Sequence, residues 1–408
     1  MVRELRQVPM QIDASRSIKN ATVKILDAFV DSVFEFAHDH PLLPSQTNFA
    51  PVDELEEALL ITDIEGNIPD NFQKGVYIRN GPIDPLFGGQ KSTKSIFGRS
   101  SFIWVEGEGM LHDLYFTKEG DGSWNNNNRY VQTETFKLEK QRNKPSFLPA
   151  AEGDSPAILS AYLLNTLRYG KVKKEVSNTN SFKHSGKLYS IAENDIPQEI
   201  DIFTLKTCDN WDVNGSWQRP FTSHPKRAPD TAELVIMGVD AIKPFLEVGV
   251  VSADGKKLIH KVDVKLNRLI KYNGEEYARI GIMPRYGDSD SIQWFEVEPC
   301  CSLHIFKSFE DDGEVVVWGC RALDSIIPGP DMGVKNRYGY TQVVDSIASS
   351  TSGVEEDDGW IITFVHNEDS NTSQVYIIDA NKFSCEPVAK ITLPCRVPYG
   401  FHGAFMTI

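Results

Sequence analysis

An all-β fold is what this sequence predicts, and three observations carry the prediction. Short apolar or alternating runs recur along the chain: GVYIRNG, SFIWVEGEG, GKLYSIAEN, ELVIMGV, EVVVWGC, WIITFVHNE and SQVYIIDA. They are rich in the β-branched and aromatic residues that suit a pleated surface. Turn residues are abundant, with 29 Gly and 22 Pro, and in SADGK the pair Asp254-Gly255 is set for a hairpin between two such runs. Helical periodicity is confined to two stretches. Many short strands at near-even spacing suit a sandwich, a barrel or a propeller. For a single domain spanning residues 1–408, a propeller is the most economical of these, although no clean repeat sets a blade number.

In chain order, the N-terminal MVRELRQVPMQIDASRS has no apolar core, so no secretory signal is expected. Residues 18–37 place Leu26, Phe29, Val30 and Val33 on one helical face. That pattern fits a helix packed on the domain or one lying on a membrane surface. Residues 155–170 gather Ile158, Leu159, Tyr162, Leu163 and Leu167 in the same way. Strand-like runs fill most of the rest.

The net charge of −15 argues against a nucleic-acid partner, because phosphate binding needs clustered Lys and Arg. The short basic run at Lys171, Lys173 and Lys174 reads as a solvated face. The six cysteines form no C-x-x-C pair, so free thiols in the cytosol are expected. The N-x-S/T triplets at Asn20, Asn214 and Asn371 then carry no glycan. No apolar run is long enough to span a membrane.

No H-E-x-x-H, G-x-S-x-G or P-loop occurs. Among nine histidines, His224, His304 and His402 share a context: each lies near a strand end, beside a turn or bulky apolar residues. His402 stands in PYGFHGAF, an aromatic and glycine-spaced segment close to the chain end. The three are 80 and 98 residues apart, which is no local metal spacing. Core histidines with satisfied hydrogen bonds are the default reading. In a propeller, however, inner strands of distant blades converge, and separated ligands can meet.

RNGPIDP, FIWVEGEGMLHDLYF, GKLYSIAENDIPQEID, FTSHPKRAPDTAEL, WFEVEPCCSLHIFKSFEDDGEVV, KNRYGYTQVVDSIAS, EEDDGWIITFVHNE and EPVAKITLPCRVPYGFHGAF resemble plant carotenoid cleavage dioxygenases, from about residue 50 to the end. The nearest branch is the one with 9,10(9′,10′)-cleaving enzymes. The resemblance implies a seven-bladed β-propeller under a helical dome formed by the segments 18–37 and 155–170. It implies Fe2+ on the axis, held by four histidines from four blades, with glutamates behind three of them. His224 matches the first ligand, His304 the third and His402 the fourth, and Glu193 matches the first glutamate. The implied reaction adds O2 across one double bond of a carotenoid or apocarotenoid. Imidazole donors suit Fe(II), and a carboxylate behind a ligand fixes its tautomer. The expected location is cytoplasmic with contact to a membrane surface, a plastid being the alternative.

The chain departs from the family pattern at three breaks. HKVDVKLNR runs straight into LIKYNGEEYARIGI, where the second ligand histidine belongs. The other breaks fall at DSIIPGPD|MGVKNRYGY and SSTSG|VEEDDGW, where the remaining two glutamates belong. His260 is the nearest histidine to the missing ligand, but it matches a non-ligand position, as do His112, His184 and His366. A rival expectation is therefore an impaired or inactive protein that at most binds apolar ligands or membranes.

Overall fold

The structure, a computed structural model, describes residues 14–38, 48, 50–83, 90–102, 106–116, 124–240, 244–266, 275–300, 302, 304–321, 347–349, 359–382 and 386–407. All three breaks fall outside the described residues. Two compact units emerge: Met1–His40, Leu86–Ile103 and Leu138–Lys174 form one, and Pro41–Pro85, Trp104–Lys137 and Glu175–Ile408 form the other. The chain is mostly β-sheet, with helices α1 (Ala14–Val33), α2 (Glu134–Arg142) and α3 (Ser155–Tyr169) among the described residues.

In the smaller unit, α1 ends four residues before the sequence pattern predicted. The segment Glu35–His38 leaves the helix to pair antiparallel with Gln90–Ser95 and so forms the edge of a four-stranded sheet. The non-local ladder ends the helix here, and the i, i+2 spacing of Phe34 and Phe36 suits a strand rather than one helical face. Val30 and Phe34 pack with Leu148, Ala150, Ala161 and Leu164, and Leu26 and Val33 join them. Helix α3 keeps its expected bounds. Pro156 sits in its first turn, and Gly170 ends it in the left-handed region at φ 73°.

The orientation of α3 reverses the usual pattern. Its polar Asn165 and Arg168 are buried, while Leu159 and Leu163 are 70% and 60% exposed, along with Tyr162 and Leu167. Most of the inward polar atoms are satisfied, Arg168 Nη1 being the exception. Asn165 accepts from Leu148 N at 2.9 Å and donates to the carbonyls of Leu148 and Val172. Arg168 pairs with Asp27 of α1 at 2.8 Å, and Arg142 contacts the same carboxylate. Burial alone would raise the Asp27 carboxyl. Hydrogen bonds and charge from Arg142 and Arg168 offset this and hold it below its usual value.

The described residues of the larger unit form six sheets: two of four strands, two of five and two of two. The chain ends meet within the five-stranded ones. Gly403–Thr407 pairs with Gly75–Ile83, and Ala389–Thr392 pairs with Ile64–Gly66. The predicted SADGK hairpin is present: Gly255 has φ 69°, Asp254 Oδ1 accepts from Lys256 N at 3.1 Å, and flanking strands Leu246–Val251 and Leu258–Asp263 pair. One core gathers Tyr77, Leu114, Phe116, Ile377 and Ile391, and another gathers Tyr189, Trp211, Trp217 and Phe221. Burying each such side chain contributes about 1.5–3 kcal/mol. The two-stranded sheets, Ala278–Ile282 with Gln293–Val297 and Ile305–Asp311 with Glu314–Gly319, bury no described residue.

Candidate metal centre

His224, His304 and His402 lie together. Each stands at the start of an edge strand in a different sheet. His224 is two residues before Lys226–Arg227, His304 directly precedes Ile305–Asp311, and His402 directly precedes Gly403–Thr407. Ring centroids are 4.5 Å apart for His224 and His402, 5.4 Å for His224 and His304, and 5.5 Å for His304 and His402. One ring nitrogen from each can be chosen so that all three lie within 4.8 Å of one another.

The backbone around His402 explains its glycine-spaced setting. A Cβ on Gly400 would lie 2.6 Å from the Asn80 carbonyl oxygen, and one on Gly403 would lie 2.8 Å from that of Ile78. Only glycine lets the terminal strand approach the Gly75–Ile83 strand so closely. Asn80 N donates to His402 O at 3.0 Å, Phe401 N donates to Asn80 O at 2.8 Å, and His402 N donates to Thr179 O at 3.1 Å. The fully buried Asn80 amide reaches the carbonyls of Ser177 and Asn180 and the Ser190 hydroxyl, at 2.9, 3.1 and 2.9 Å. Asn180 in turn donates to Ser223 O at 2.7 Å, the residue before His224. A chain of asparagines thus links the backbones that carry two of the three imidazoles. Sequence reading passed over both residues. Asn80 falls inside the strand-like run GVYIRNG and is buried in the strand Gly75–Ile83, but nothing local marks it as a junction between chain segments.

Burial pushes the His402 imidazole down to about 4, and the neighbouring His224, His304 and Lys226 add to the effect. Burial also lowers His224, against the opposing charge of Glu193. Both rings are therefore neutral near pH 7 and offer a lone pair to a cation. Glu193 lies beside His224, and its carboxylate takes a hydrogen bond from the Ser223 hydroxyl.

Four other described histidines are placed elsewhere. His260 Nε2 is 2.9 Å from Gly287 O, His184 Nε2 is 3.0 Å from Ser252 O, and His366 Nδ1 is 2.9 Å from Ser373 Oγ. His112 is buried opposite Arg79 in the ladder, and burial holds its ring well below the usual value. Cys208, Cys300, Cys320 and Cys395 are free thiols. No described helix is long and apolar enough to cross a membrane.

The fold and this histidine cluster define a β-sheet protein with a candidate metal centre, and comparison with known proteins gives its family. Residues 49–270, 264–351 and 343–407 match the family described as Retinal pigment epithelial membrane protein. The chain belongs to this family, the carotenoid oxygenases, whose relatives are enzymes. It is 26% identical to carotenoid 9,10(9′,10′)-cleavage dioxygenase 1 of Pisum sativum, covering 88% of this chain and 89% of that one. The Arabidopsis thaliana protein of the same name is also 26% identical, covering 96% and 95%. Among solved structures, the fold resembles Pseudomonas brassicacearum lignostilbene dioxygenase, with TM-score 0.67, 16% identity, and 91% and 100% of the two chains covered. It also resembles cobalt-substituted Synechocystis ACO, with TM-score 0.69, 17% identity, and 90% and 99% covered.

The alignments also measure what this chain lacks. In the pea comparison 88% of 408 residues, about 359, take part in 498 aligned positions, leaving about 139 without a counterpart here. The family match is itself divided, with junctions at 264–270 and 343–351, beside the first and third sequence breaks.

Proposed function

We propose that this chain is built for Fe2+-dependent oxidative cleavage of one double bond in a carotenoid or apocarotenoid. Both atoms of O2 enter the two carbonyl products. The observation that carries the reading is the convergence of His224, His304 and His402 from three different sheets to within 4.8 Å. Family membership supports the reaction class, and the names of the pea and Arabidopsis relatives support the 9,10(9′,10′) bond. Imidazole nitrogens are ligands that a ferrous ion accepts, although three of them leave half of its usual six positions to water. Bound iron would supply the redox chemistry through which O2 reacts with an alkene. Glu193 fixes the tautomer of His224 by taking its outer N–H, a role supported by its charge beside that ring. The sheets are blades of an incomplete propeller, a reading supported by the folds of the solved relatives. The outward leucines of α3 dock the protein on the membrane that holds its apolar substrate. A chloroplastic rice relative supports a plastid membrane.

Turnover by this chain is small. This second part of the proposal is supported by the roughly 139 unmatched positions and by the cluster holding three histidines, with no fourth, among the described residues. A lost ligand leaves one more position to water, and lost strands admit solvent to a site that needs to be dry. The test is iron analysis with product chromatography on a forty-carbon carotenoid and an apocarotenal, for this chain and for one with the missing segments restored. We expect substoichiometric iron and little cleavage here, both rising together on restoration. Cleavage absent from the restored protein would overturn the first part. Near-stoichiometric iron with steady turnover by the unrestored chain would overturn the second.

A further inference from the structure

Among the described residues the donor set is three imidazoles. Among the described residues no fourth His, Cys, Asp or Glu joins the group within 4.8 Å. His260, the nearest substitute in sequence, bonds Gly287 O instead. Three histidines with one open position form a donor set for four-coordinate Zn2+, whose Zn–N bonds of about 2.0–2.1 Å put the nitrogens ~3.3–3.4 Å apart in a tetrahedron. The three rings reach that spacing by closing in from at most 4.8 Å, and the His304 sheet that must move has no buried residue to hold it back. Fe2+ favours six ligands and would take three of them from water. It also stands below Zn2+ in affinity for a given nitrogen site.

We propose that the His224–His304–His402 centre of this chain selects Zn2+, with water as the fourth ligand, over Fe2+. The inference rests on the reading above that these three side chains bind metal, but on nothing about the substrate. Zinc has no redox chemistry, so a chain filled this way is silent as an oxygenase whatever carotenoid it meets.

The experiment uses the full chain, stripped of metal, with Co2+ as a visible stand-in. We expect an intense four-coordinate cobalt spectrum that one equivalent of Zn2+ abolishes and one equivalent of Fe2+, added without air, leaves largely intact. The corresponding zinc dissociation constant is at least ~10-fold lower than that of Fe2+. His304→Ala, just before a strand that buries no described residue, keeps the fold and loses the spectrum. A weak six-coordinate cobalt spectrum, or Fe2+ displacing cobalt as readily as Zn2+, overturns the zinc preference and leaves the metal site standing. Cobalt binding that is absent, or unchanged in His304→Ala, overturns both.

Discussion

The strand Gly75–Ile83, which holds the His402 backbone through Asn80, and the hairpin Ile305–Gly319, which His304 directly precedes, each support one histidine of the cluster, yet they differ in packing. All nine residues of the first are buried. It lies between Glu108–Phe116 and Gly403–Thr407 in a five-stranded sheet. None of the described residues from Glu275 to Arg321 is buried, and Ile305, Val315 and Trp318 are exposed. Two-stranded sheets are marginal in water, and each has two open edges. The difference teaches that the candidate centre has two firm supports, His224 and His402, and one loose one, His304. Ordering that loose support must be charged against the affinity of any ion bound there.

Hydrogen exchange probes the contrast most strongly. Amides of Gly75–Ile83 should exchange only through near-global opening. Those of Ile305–Gly319 should exchange through openings of near-zero cost, a gap of about 5 kcal/mol or more. Added zinc should slow the second set and leave the first unchanged. Equal protection in the two regions would remove the distinction.

Ligand substitutions come next. His402→Ala should lower metal affinity by more than about 100-fold, beyond the usual cost of losing an outer partner. His304→Ala should cost measurably less, because part of its contribution goes to ordering its own sheet. Calorimetric titration compares the two, and equal losses would count against a loose third support.

Asn80→Ala, at the buried junction behind His402, should destabilise the fold by about 1–3 kcal/mol through groups left unsatisfied. Trp318→Thr, on the exposed hairpin, should stay within about 0.5 kcal/mol. Urea unfolding followed by tryptophan fluorescence and circular dichroism measures both.

The smallest effect concerns the inverted helix α3. Asp27 has a depressed carboxyl value, so its contribution is full above about pH 3.9 and fades as pH falls through the lower folded value. Asp27→Asn should therefore melt below the native chain at pH 7 and approach it on acidification. Leu163→Glu should leave melting unchanged while reducing sedimentation with liposomes. Unchanged sedimentation would return α3 to a purely structural role.

Much of this was legible in the sequence, and what was not has physical causes. The strands and the Asp254-Gly255 hairpin show in local pattern. The end of α1 does not, because Gln90–Ser95 decides it from more than fifty residues away. The apolar stripe of α3 was visible, but its direction was not. Periodicity finds a face without saying whether Asp27 and Leu148 wait behind the other one. His224, His304 and His402 carried no spacing signal and were found through family resemblance. Asn80 was legible as part of the strand-like run GVYIRNG, but its role was not, because its amide bonds Ser177, Asn180 and Ser190, 97 to 110 residues away.

The central claim is that one divalent ion sits among His224, His304 and His402 and takes nothing else from the chain. Anomalous diffraction from crystals of the zinc-loaded protein tests it directly. The account predicts one peak within about 2.0–2.2 Å of a nitrogen of each of the three rings, with water completing the shell. A peak that misses any of the three, or that a fourth side chain also ligates, would contradict it.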